Sequence, residues 1–296
     1  MTTVPYKGTP IFNEDGTFRK EDDKVQGRSY SSNLTKLLKQ LPKLQNLQEG
    51  KKASPVMAHI SLTNACNLTC SFCCFANRDI SEKMPTEKVF QALESFKAIG
   101  VTGVEFTGGG EPSIHPHFKE IVQYAKDLGF SLGICTNGAR FGANRPIKKD
   151  IVELFDWVRL GMYGFYEGYD YDLSIFEGTN CKPSAAYVWD ENLETSKNPN
   201  ITGEWSDVKN KRVLSKKFQT TENFIRMLDW IEENQIPCRI AFNAIKDVKE
   251  TEKDIETIRG IIEAYEKDRG RKLKSAFLSD FNFQGERRND HCYMHM

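Results

Sequence analysis

The strongest constraint on the fold is an alternation of short apolar strands with amphipathic helical segments along most of the chain. Helical segments carry apolar residues at i, i+3, i+4 and i+7, as at Val89, Ala92, Leu93 and Phe96. Strand patterns occupy residues 57–63, 101–106, 130–135, 157–162, 238–244 and 276–281. Strand followed by helix about six times predicts a parallel sheet covered by helices.

The number of units favours an incomplete barrel over a closed one. A closed eight-unit barrel typically takes ~250 residues, and the repeating part here begins near residue 57 of 296. We therefore predict an α/β fold, a partial (β/α)6 TIM-like barrel, with its chemistry at the carboxyl ends of the strands. The expected boundaries are an N-terminal extension at 1–55, the barrel at 56–285 and a last segment at 286–296.

A long insertion, at about 164–217, is predicted after the fourth strand. It holds many aromatic residues among Asn, Asp, Ser and Gly. A loop longer than ~15 residues inside a compact domain is usually functional or disordered. Two interpretations stay open: an ordered lid that packs on the barrel or on substrate, and a surface insertion that never contacts substrate.

Charge and hydropathy bear on the partners. The 41 Lys and Arg residues balance 41 Asp and Glu residues, so net charge does not indicate a nucleic-acid or anionic-membrane partner. No apolar stretch approaches the ~20 residues that span a bilayer, and the first residues lack the pattern of a signal peptide. The sequence predicts a cytoplasmic protein with no membrane partner.

Four of the eight cysteines fall within nine residues after the first predicted strand. Cys66, Cys70 and Cys73 have the spacing C-x3-C-x2-C, and Cys74 follows directly. Thiolates are soft ligands for zinc and iron, and three so close together can hold a metal cluster while one metal position stays without a cysteine. A closed zinc site with Cys74 or His59 as the fourth ligand is the alternative interpretation.

A run of three glycines follows the second predicted strand. Gly108, Gly109 and Gly110 lie between Thr107 and Glu111. Without side chains, the backbone at this strand end can approach a ligand closely and adopt positive φ. A bare turn would look the same, but the position next to the cysteines favours a ligand site.

The motifs together closely resemble those of the radical S-adenosylmethionine (SAM) enzymes. The resemblance runs from about residue 56 to 280 and rests on the cysteine triplet, on Thr107-Gly-Gly-Gly-Glu-Pro and on Thr136-Asn-Gly after the third strand. It implies a [4Fe-4S] cluster held by three cysteines, with the amino and carboxylate groups of SAM on the fourth iron. It also implies reductive cleavage of SAM to a 5′-deoxyadenosyl radical that removes a hydrogen atom from a substrate, with an external one-electron donor such as flavodoxin or ferredoxin.

The resemblance implies roles for single residues as well. The segment from Gly108 to Glu111 receives the methionine ammonium, largely through backbone carbonyls, and Phe72 lies near the adenine. Arg159 is a candidate for the SAM carboxylate or ribose, since a guanidinium pairs with carboxylate in bidentate fashion; a surface salt bridge is the alternative. Asn137 and Asn243, at the third and fifth strand ends, are candidates for bonds to the cofactor or for turn caps.

The end of the sequence bears on the substrate. Cys292 lies where many relatives that modify bulky substrates begin a cysteine-rich SPASM or twitch-like region with auxiliary clusters. A single cysteine is not a set, so either the chain is a fragment or Cys292 is an ordinary residue. This layout and the aromatic insertion favour a peptide or protein substrate, with a nucleotide or other small metabolite as the alternative.

A third interpretation is a non-catalytic zinc or iron-sulfur module. Such a module would not need the glycine run, which therefore counts against it. Cys135 and Cys238 lie within strand patterns, and we expect both to be small buried side chains without a chemical role.

Overall fold

The computed structural model describes residues 40–70, 73, 75, 78–162, 171–189, 212–213, 221–242 and 248–278. Their strands are β1 (Met57–Ile60), β2 (Leu68–Thr69), β3 (Gly103–Phe106), β4 (Ser131–Thr136), β5 (Trp157–Gly161), β6 (Lys182–Trp189), β7 (Arg212–Val213), β8 (Cys238–Phe242) and β9 (Ala276–Leu278). Their helices are α1 (Leu41–Gln48), α2 (Thr86–Ala98), α3 (Phe118–Asp127), α4 (Lys149–Val152), α5 (Thr221–Glu233) and α6 (Val248–Arg269).

Seven of these strands form one parallel sheet in the order β1-β3-β4-β5-β6-β8-β9. Each strand pairs with the next sheet strand along the chain, so the sheet winds in a single direction. Right-handed connections then place the covering helices on one face. Such winding belongs to a barrel, because a doubly wound sheet reverses its strand order in the middle. The predicted parallel α/β barrel class is confirmed.

The seventh strand corrects the sequence analysis, which predicted six. The additional strand, β6, lies inside the predicted insertion and pairs with β5 on one side and β8 on the other. Its second residue, Pro183, is a type that argues against a central strand, and small residues at Ser184 and Ala186 weaken its apolar alternation. Of the predicted insertion, residues 171–189 and 212–213 are described, and the rest lies outside the described residues.

Apolar side chains between the sheet and the helices form the core. The buried residues of α3 and of α5 have the predicted spacing i, i+3, i+4 and i+7: Phe118, Ile121, Val122 and Ala125 on α3, and Phe224, Met227, Leu228 and Ile231 on α5. Phe106 of β3 meets Phe118 of α3 and Phe155 edge-on, with ring centroids 6.4 Å apart in both pairs. None of the described helices combines the length and the apolarity that crossing a membrane requires.

Alternate residues of the central strands face the other way, into the lumen of the barrel. On β5, Val158 and Leu160 are buried in the core, whereas Trp157 and Arg159 are half-buried on the opposite face. The indole of Trp157 lies so close to Gly133 of β4 that a Cβ there would overlap it. Trp157 therefore fills the layer beneath Arg159, which leaves space toward the carboxyl ends of the strands.

A second, two-stranded parallel sheet joins β2 to β7. β2 lies within the cysteine motif, and Leu68 pairs with Arg212. β7 therefore contacts the segment that carries the cysteines.

Candidate functional site

A cavity of about 390 Å³ opens at the carboxyl ends of the strands. Its walls come from the cysteine loop (residues 61–78), the glycine loop (residues 107–111) and the ends of β4, β5, β6 and β8. The cysteine loop and the glycine loop are at least 29 residues apart in the sequence. They meet at this cavity because they follow β1 and β3, which are neighbouring parallel strands.

All three cysteines of the motif line this cavity. The Cys73 amide donates to the Cys70 carbonyl at 3.0 Å, and the Leu68 amide donates to Cys66 Sγ at 3.4 Å. Burial raises the pKa of the Cys66 and Cys70 thiols, more strongly at Cys70. A metal bound there would have to displace these protons. Three thiols on one loop, facing a shared cavity, are a donor set that fits an iron-sulfur cluster.

The alternative of a closed zinc site with His59 does not match the described residues. Among them, no three His, Cys, Asp or Glu side chains are grouped closely enough to hold one metal ion. His59 Nδ1 lies instead 3.4 Å from Glu105 Oε2 of the neighbouring strand. Cys74, the other suggested fourth ligand, lies outside the described residues.

Arg78, which was not predicted from the sequence, stabilises the cysteine loop. Its Nε donates to the Asn64 carbonyl at 2.6 Å, and its Nη1 donates to the Phe75 carbonyl at 2.6 Å. The same Nη1 lies 3.5 Å from Cys73 Sγ. A guanidinium at this distance stabilises negative charge on sulfur. No spacing rule relates an arginine to a cysteine five residues before it, so the sequence offered no signal.

The glycine loop packs directly on the cysteine loop. The Gly110 amide donates to the Thr63 carbonyl at 2.7 Å, and the Glu111 amide donates to the Ala65 carbonyl at 2.8 Å. A Cβ on Gly110 would overlap the Ala65 carbonyl, and one on Gly109 would overlap Ser61 Oγ. The absent side chains thus serve contact between the two loops, and not only the approach to a ligand that the sequence analysis predicted.

Gly108 differs from its two neighbours. Its φ is +86°, but a Cβ there would meet Phe75 and Ser61 only at 3.7 and 3.8 Å, which is ordinary contact. All three glycines line the cavity.

The carboxylate of Glu111 joins the glycine loop to the end of β4. Its Oε1 accepts hydrogen bonds from the amide and hydroxyl of Ser113 at 3.2 and 2.6 Å and from Thr136 Oγ1 at 2.6 Å. Its Oε2 accepts from the Asn137 amide at 2.8 Å. Burial raises the pKa of Glu111, and the four hydrogen bonds oppose that shift. Both oxygens therefore have partners within the chain, so this side chain positions the loop.

Asn137 links β4 to the cysteine loop. Its Nδ2 donates to Asn67 Oδ1 at 2.7 Å, and its Oδ1 accepts from the Ala139 amide at 3.1 Å. The second bond is the turn cap that was one predicted role, and Asn137 also lines the cavity. Phe72, Asn243 and Cys292, the other candidate residues, lie outside the described residues.

Arg159 is half-buried and lines the cavity in the lumen, whereas the alternative interpretation placed it in a salt bridge at the surface. Its Nη1 is 3.8 Å from Cys135 Sγ, and its guanidinium carbon is 5.3 Å from the centre of the Trp157 ring. Cys135 lines the cavity too and donates to Glu105 Oε1 at 3.1 Å. Burial, with Glu105 nearby, raises the pKa of Cys135 to about 12. Cys135 therefore faces the site, contrary to expectation, whereas Cys238 is fully buried as predicted.

The remaining wall of the cavity comes from β6 and β8. It consists of Ala186, Tyr187, Val188, Arg239 and Ala241. None of these residues was predicted from the sequence, because β6 lacks the pattern of a strand and Arg239 stands in an ordinary alternating pattern.

Comparison with known proteins links the residues that line the cavity from β1 to β5 to a family. A model of the radical SAM superfamily matches residues 60–167, and proteins of that family use a [4Fe-4S] cluster and SAM. The matched range includes the cysteine triplet, the glycine loop, Asn137 and Arg159, and it ends before β6.

Two curated proteins are similar over parts of the chain. An S-adenosylmethionine-dependent nucleotide dehydratase from Selenomonas ruminantium is 35% identical over 98 residues, which are 33% of this chain and 35% of that protein. The sporulation killing factor maturation protein SkfB from Bacillus subtilis is 34% identical over 85 residues, 28% of this chain and 20% of that protein. The matched parts thus span about a third or less of these relatives.

Among solved structures, Streptococcus suis SuiB bound to the precursor peptide SuiA superposes with a TM-score of 0.50 at 19% identity. The superposition covers 84% of this chain and 55% of that one. At this identity it supports the fold alone.

Proposed function

Because this chain carries a radical SAM domain, we propose that the protein cleaves SAM reductively and uses the resulting radical to remove a hydrogen atom from a substrate. The observation that supports this most directly is the meeting of the three motif cysteines with the glycine loop in one cavity. That cavity lies at the carboxyl ends of parallel strands, where barrel enzymes carry their chemistry.

A [4Fe-4S] cluster on Cys66, Cys70 and Cys73 would supply the electron for this cleavage. The chain itself holds the loop in shape: Arg78 ties its two ends together and places positive charge beside Cys73. Glu111 fixes the glycine loop against β4. These contacts restrain the two loops at several points before any cofactor binds, so the cluster has to order only the rest of the cysteine loop.

SAM would bind between the cysteine loop and β5. The glycine loop would receive its ammonium group, and Arg159 would pair with its carboxylate or ribose. Asn137, already bonded to both loops, would stand next to the cofactor. The Trp157 ring, 5.3 Å from the Arg159 guanidinium carbon, would help to keep water away from this side of the site, and exclusion of water protects a reactive carbon radical.

The substrate in this proposal is a peptide or protein. Support comes from SkfB, which is named as a maturation protein. The nucleotide dehydratase relative supports the alternative of a nucleotide or other small molecule. An external one-electron donor of the flavodoxin or ferredoxin type would reduce the cluster.

The first experiment measures iron and cofactor cleavage. After anaerobic reconstitution we expect about four irons per chain, and with SAM and dithionite we expect 5′-deoxyadenosine. Replacing Cys66, Cys70 and Cys73 together by Ala should abolish both. The matched control is Cys181→Ala, since Cys181 is a buried cysteine that does not line the cavity. Retained iron and colour in the triple variant, or one zinc without sulfide in the wild type, would contradict the proposal.

The second experiment concerns the substrate. The reconstituted protein is incubated with SAM and either a peptide encoded beside its gene or a nucleotide pool, and the products are analysed by mass spectrometry. A mass change in the peptide that depends on SAM supports the peptide substrate. A change confined to a nucleotide replaces it with the alternative.

A further inference from the structure

We propose that Arg78 raises the reduction potential of the iron-sulfur cluster, and so makes the cluster easier to reduce, through its contact with Cys73. The inference rests on the proposed function, because it takes the cluster to be held by the three motif cysteines. It gives a residue outside the sequence motifs a positioning role in the step that delivers the electron.

The contact with Cys73 comes from a guanidinium group that is fixed at two other points. Arg78 Nε donates to the Asn64 carbonyl at 2.6 Å, and Nη1 donates to the Phe75 carbonyl at 2.6 Å. Asn64 precedes the first motif cysteine and Phe75 follows the last, so the planar group ties together the segment that holds all three. Nη1 carries two hydrogens, which leaves one for Cys73 Sγ, 3.5 Å away.

The charge of Arg78 is not paired with an acidic side chain in the described part of the chain. None of the salt bridges found there includes Arg78. The two acidic residues that follow it have other partners. Asp79 Oδ1 accepts from the amide and hydroxyl of Ser81 at 2.9 and 2.7 Å, and Glu82 Oε2 accepts from Asn64 Nδ2 at 3.0 Å. The positive charge therefore acts on the cysteine loop without a paired carboxylate.

The two ends of the cysteine triplet have different hydrogen-bond donors. Cys66 Sγ accepts from the Leu68 amide at 3.4 Å, which is a neutral donor, whereas Cys73 Sγ lies beside a cation. Hydrogen bonds from ionised groups are roughly twice as strong as those from neutral groups. Arg78 also lines the same cavity as the three cysteines. Among these contacts, the one from Arg78 should therefore influence the cluster most.

Reduction of the cluster adds one electron and therefore one negative charge. A neighbouring cation stabilises the reduced form more than the oxidised form, and a hydrogen bond to a cluster sulfur acts in the same direction. A guanidinium group does not lose its proton in proteins, so this positive charge is present whenever the protein is folded. Arg78 should thus favour the reduced cluster.

The midpoint potential of the reconstituted protein, measured without SAM, tests the inference. We expect Arg78→Gln to shift the equilibrium constant for one-electron reduction about tenfold toward the oxidised cluster, which lowers the potential by about 59 mV. Lys83→Gln is the matched control, because it removes the same charge from an exposed side chain that does not line the cavity. The potential of this control should equal that of the wild type.

The sign of the shift separates the effect of charge from the effect of loop support. Arg78→Gln also removes the bonds to Asn64 and Phe75, and a looser loop would admit water to the cluster. Water stabilises the more highly charged reduced form, so a purely structural role would raise the potential. A potential that is unchanged or raised in Arg78→Gln, or lowered equally in Lys83→Gln, would overturn the inference.

A second measurement uses the wild-type protein and does not depend on Arg78→Gln holding its cluster. Arginine is labelled with ¹⁵N, the cluster is reduced, and pulsed electron paramagnetic resonance detects nitrogen coupled to the unpaired electron. We expect a coupling to arginine nitrogen in the wild type and its loss in Arg78→Lys. Arg226→Lys, altered at an exposed residue of α5, should keep it. If neither Arg78 variant retains iron, the wild-type coupling decides alone.

No coupling in the wild type, or a coupling that survives in Arg78→Lys, would also overturn the inference. Neither measurement requires turnover of SAM. A wild-type protein that holds its cluster but forms no 5′-deoxyadenosine would contradict the proposed function, while the result at Arg78 stays readable. A wild-type protein that binds no iron would contradict both.

Discussion

At the scale of single residues, the contact between the two motif loops depends on the absence of a side chain at Gly110. An added methyl group would overlap the Ala65 carbonyl, which cannot move without shifting the loop that holds Cys66. Gly108 offers a matched comparison, because its positive φ is strained for alanine but its Cβ would meet only ordinary contacts. The two substitutions therefore separate loop packing from backbone strain.

We expect Gly110→Ala to lower both the iron retained per chain and the free energy of unfolding, the latter by about 2–3 kcal/mol. Gly108→Ala should cost only the strain of a left-handed residue, about 1–2 kcal/mol, and should keep its iron. Iron analysis after gel filtration and urea unfolding of the metal-free proteins measure the two effects. Equal iron loss in both variants would show that the overlap of the new Cβ with the Ala65 carbonyl does not cause the loss of iron.

Glu111 gives a pH-dependent prediction. Burial raises its pKa above the ordinary 4.5, so the folded state binds a proton more readily than the unfolded state. The contribution of this group to stability is therefore greatest below pH 4.5 and falls as the pH rises through the folded pKa. Glu111→Gln removes that dependence, but it also places an amide group against hydrogen-bond donors.

The free energy of unfolding of Glu111→Gln should be lower than that of the wild type by about 1–3 kcal/mol, the cost of a buried donor left without its acceptor. This difference should be largest near pH 4.5 and smaller at pH 7. Urea unfolding at several pH values measures it. A difference that grows with pH would mean that the pKa of Glu111 is lowered in the folded protein.

At the scale of elements, β6 shows where sequence patterns succeed and where they do not. The faces of α3 and α5 were predictable, because one side of each helix packs on the core and the other meets solvent. β6 was not, since Pro183 and the small residues facing the lumen remove the apolar alternation. Its place in the sheet depends on pairing with β5 and β8, which no local pattern contains.

Because β6 is central, its core-facing side chains should matter for the stability of the entire domain. Trp189 is 2% exposed and meets the Phe224 ring edge-on with centroids 5.3 Å apart. We expect Trp189→Ala to destabilise the protein by about 3–5 kcal/mol in urea unfolding. Lys182→Ala, at the exposed start of the same strand, should change the stability by less than about 0.5 kcal/mol. A small effect at Trp189 would argue that β6 is peripheral.

At the scale of the whole molecule, the part of the site that the sequence motifs form was predictable, and the cavity wall that β6 and β8 form was not. The cysteines, the glycine run, Asn137 and Arg159 were found because their residue types stand in recognisable order along the chain. Arg78 and Arg239 were missed because they are isolated arginines, and only folding places them on the cavity. The contacts of Glu111 with Thr136 and Asn137 also required the pairing of β3 with β4.

The same architecture predicts how the protein responds to removal of iron. The core between sheet and helices includes Val104, Ile134 and Val158, all fully buried, and none of the three lines the cavity. The cysteine loop is tied to the barrel by hydrogen bonds at its edge, such as Gly110 to Thr63 and Asn137 to Asn67. Its order should therefore depend on a bound cluster far more than the order of the sheet does.

We expect chelation of the cluster to accelerate amide hydrogen exchange in residues 61–78 by about tenfold or more, with little change in β4 and β5. Exchange measured by mass spectrometry before and after chelation gives both values in one experiment. The variant with Cys66, Cys70 and Cys73 replaced by Ala is the control, since chelator should leave its exchange unchanged. If β4 and β5 lose protection together with the loop, the stability of the sheet itself depends on the bound cluster, which would contradict this prediction.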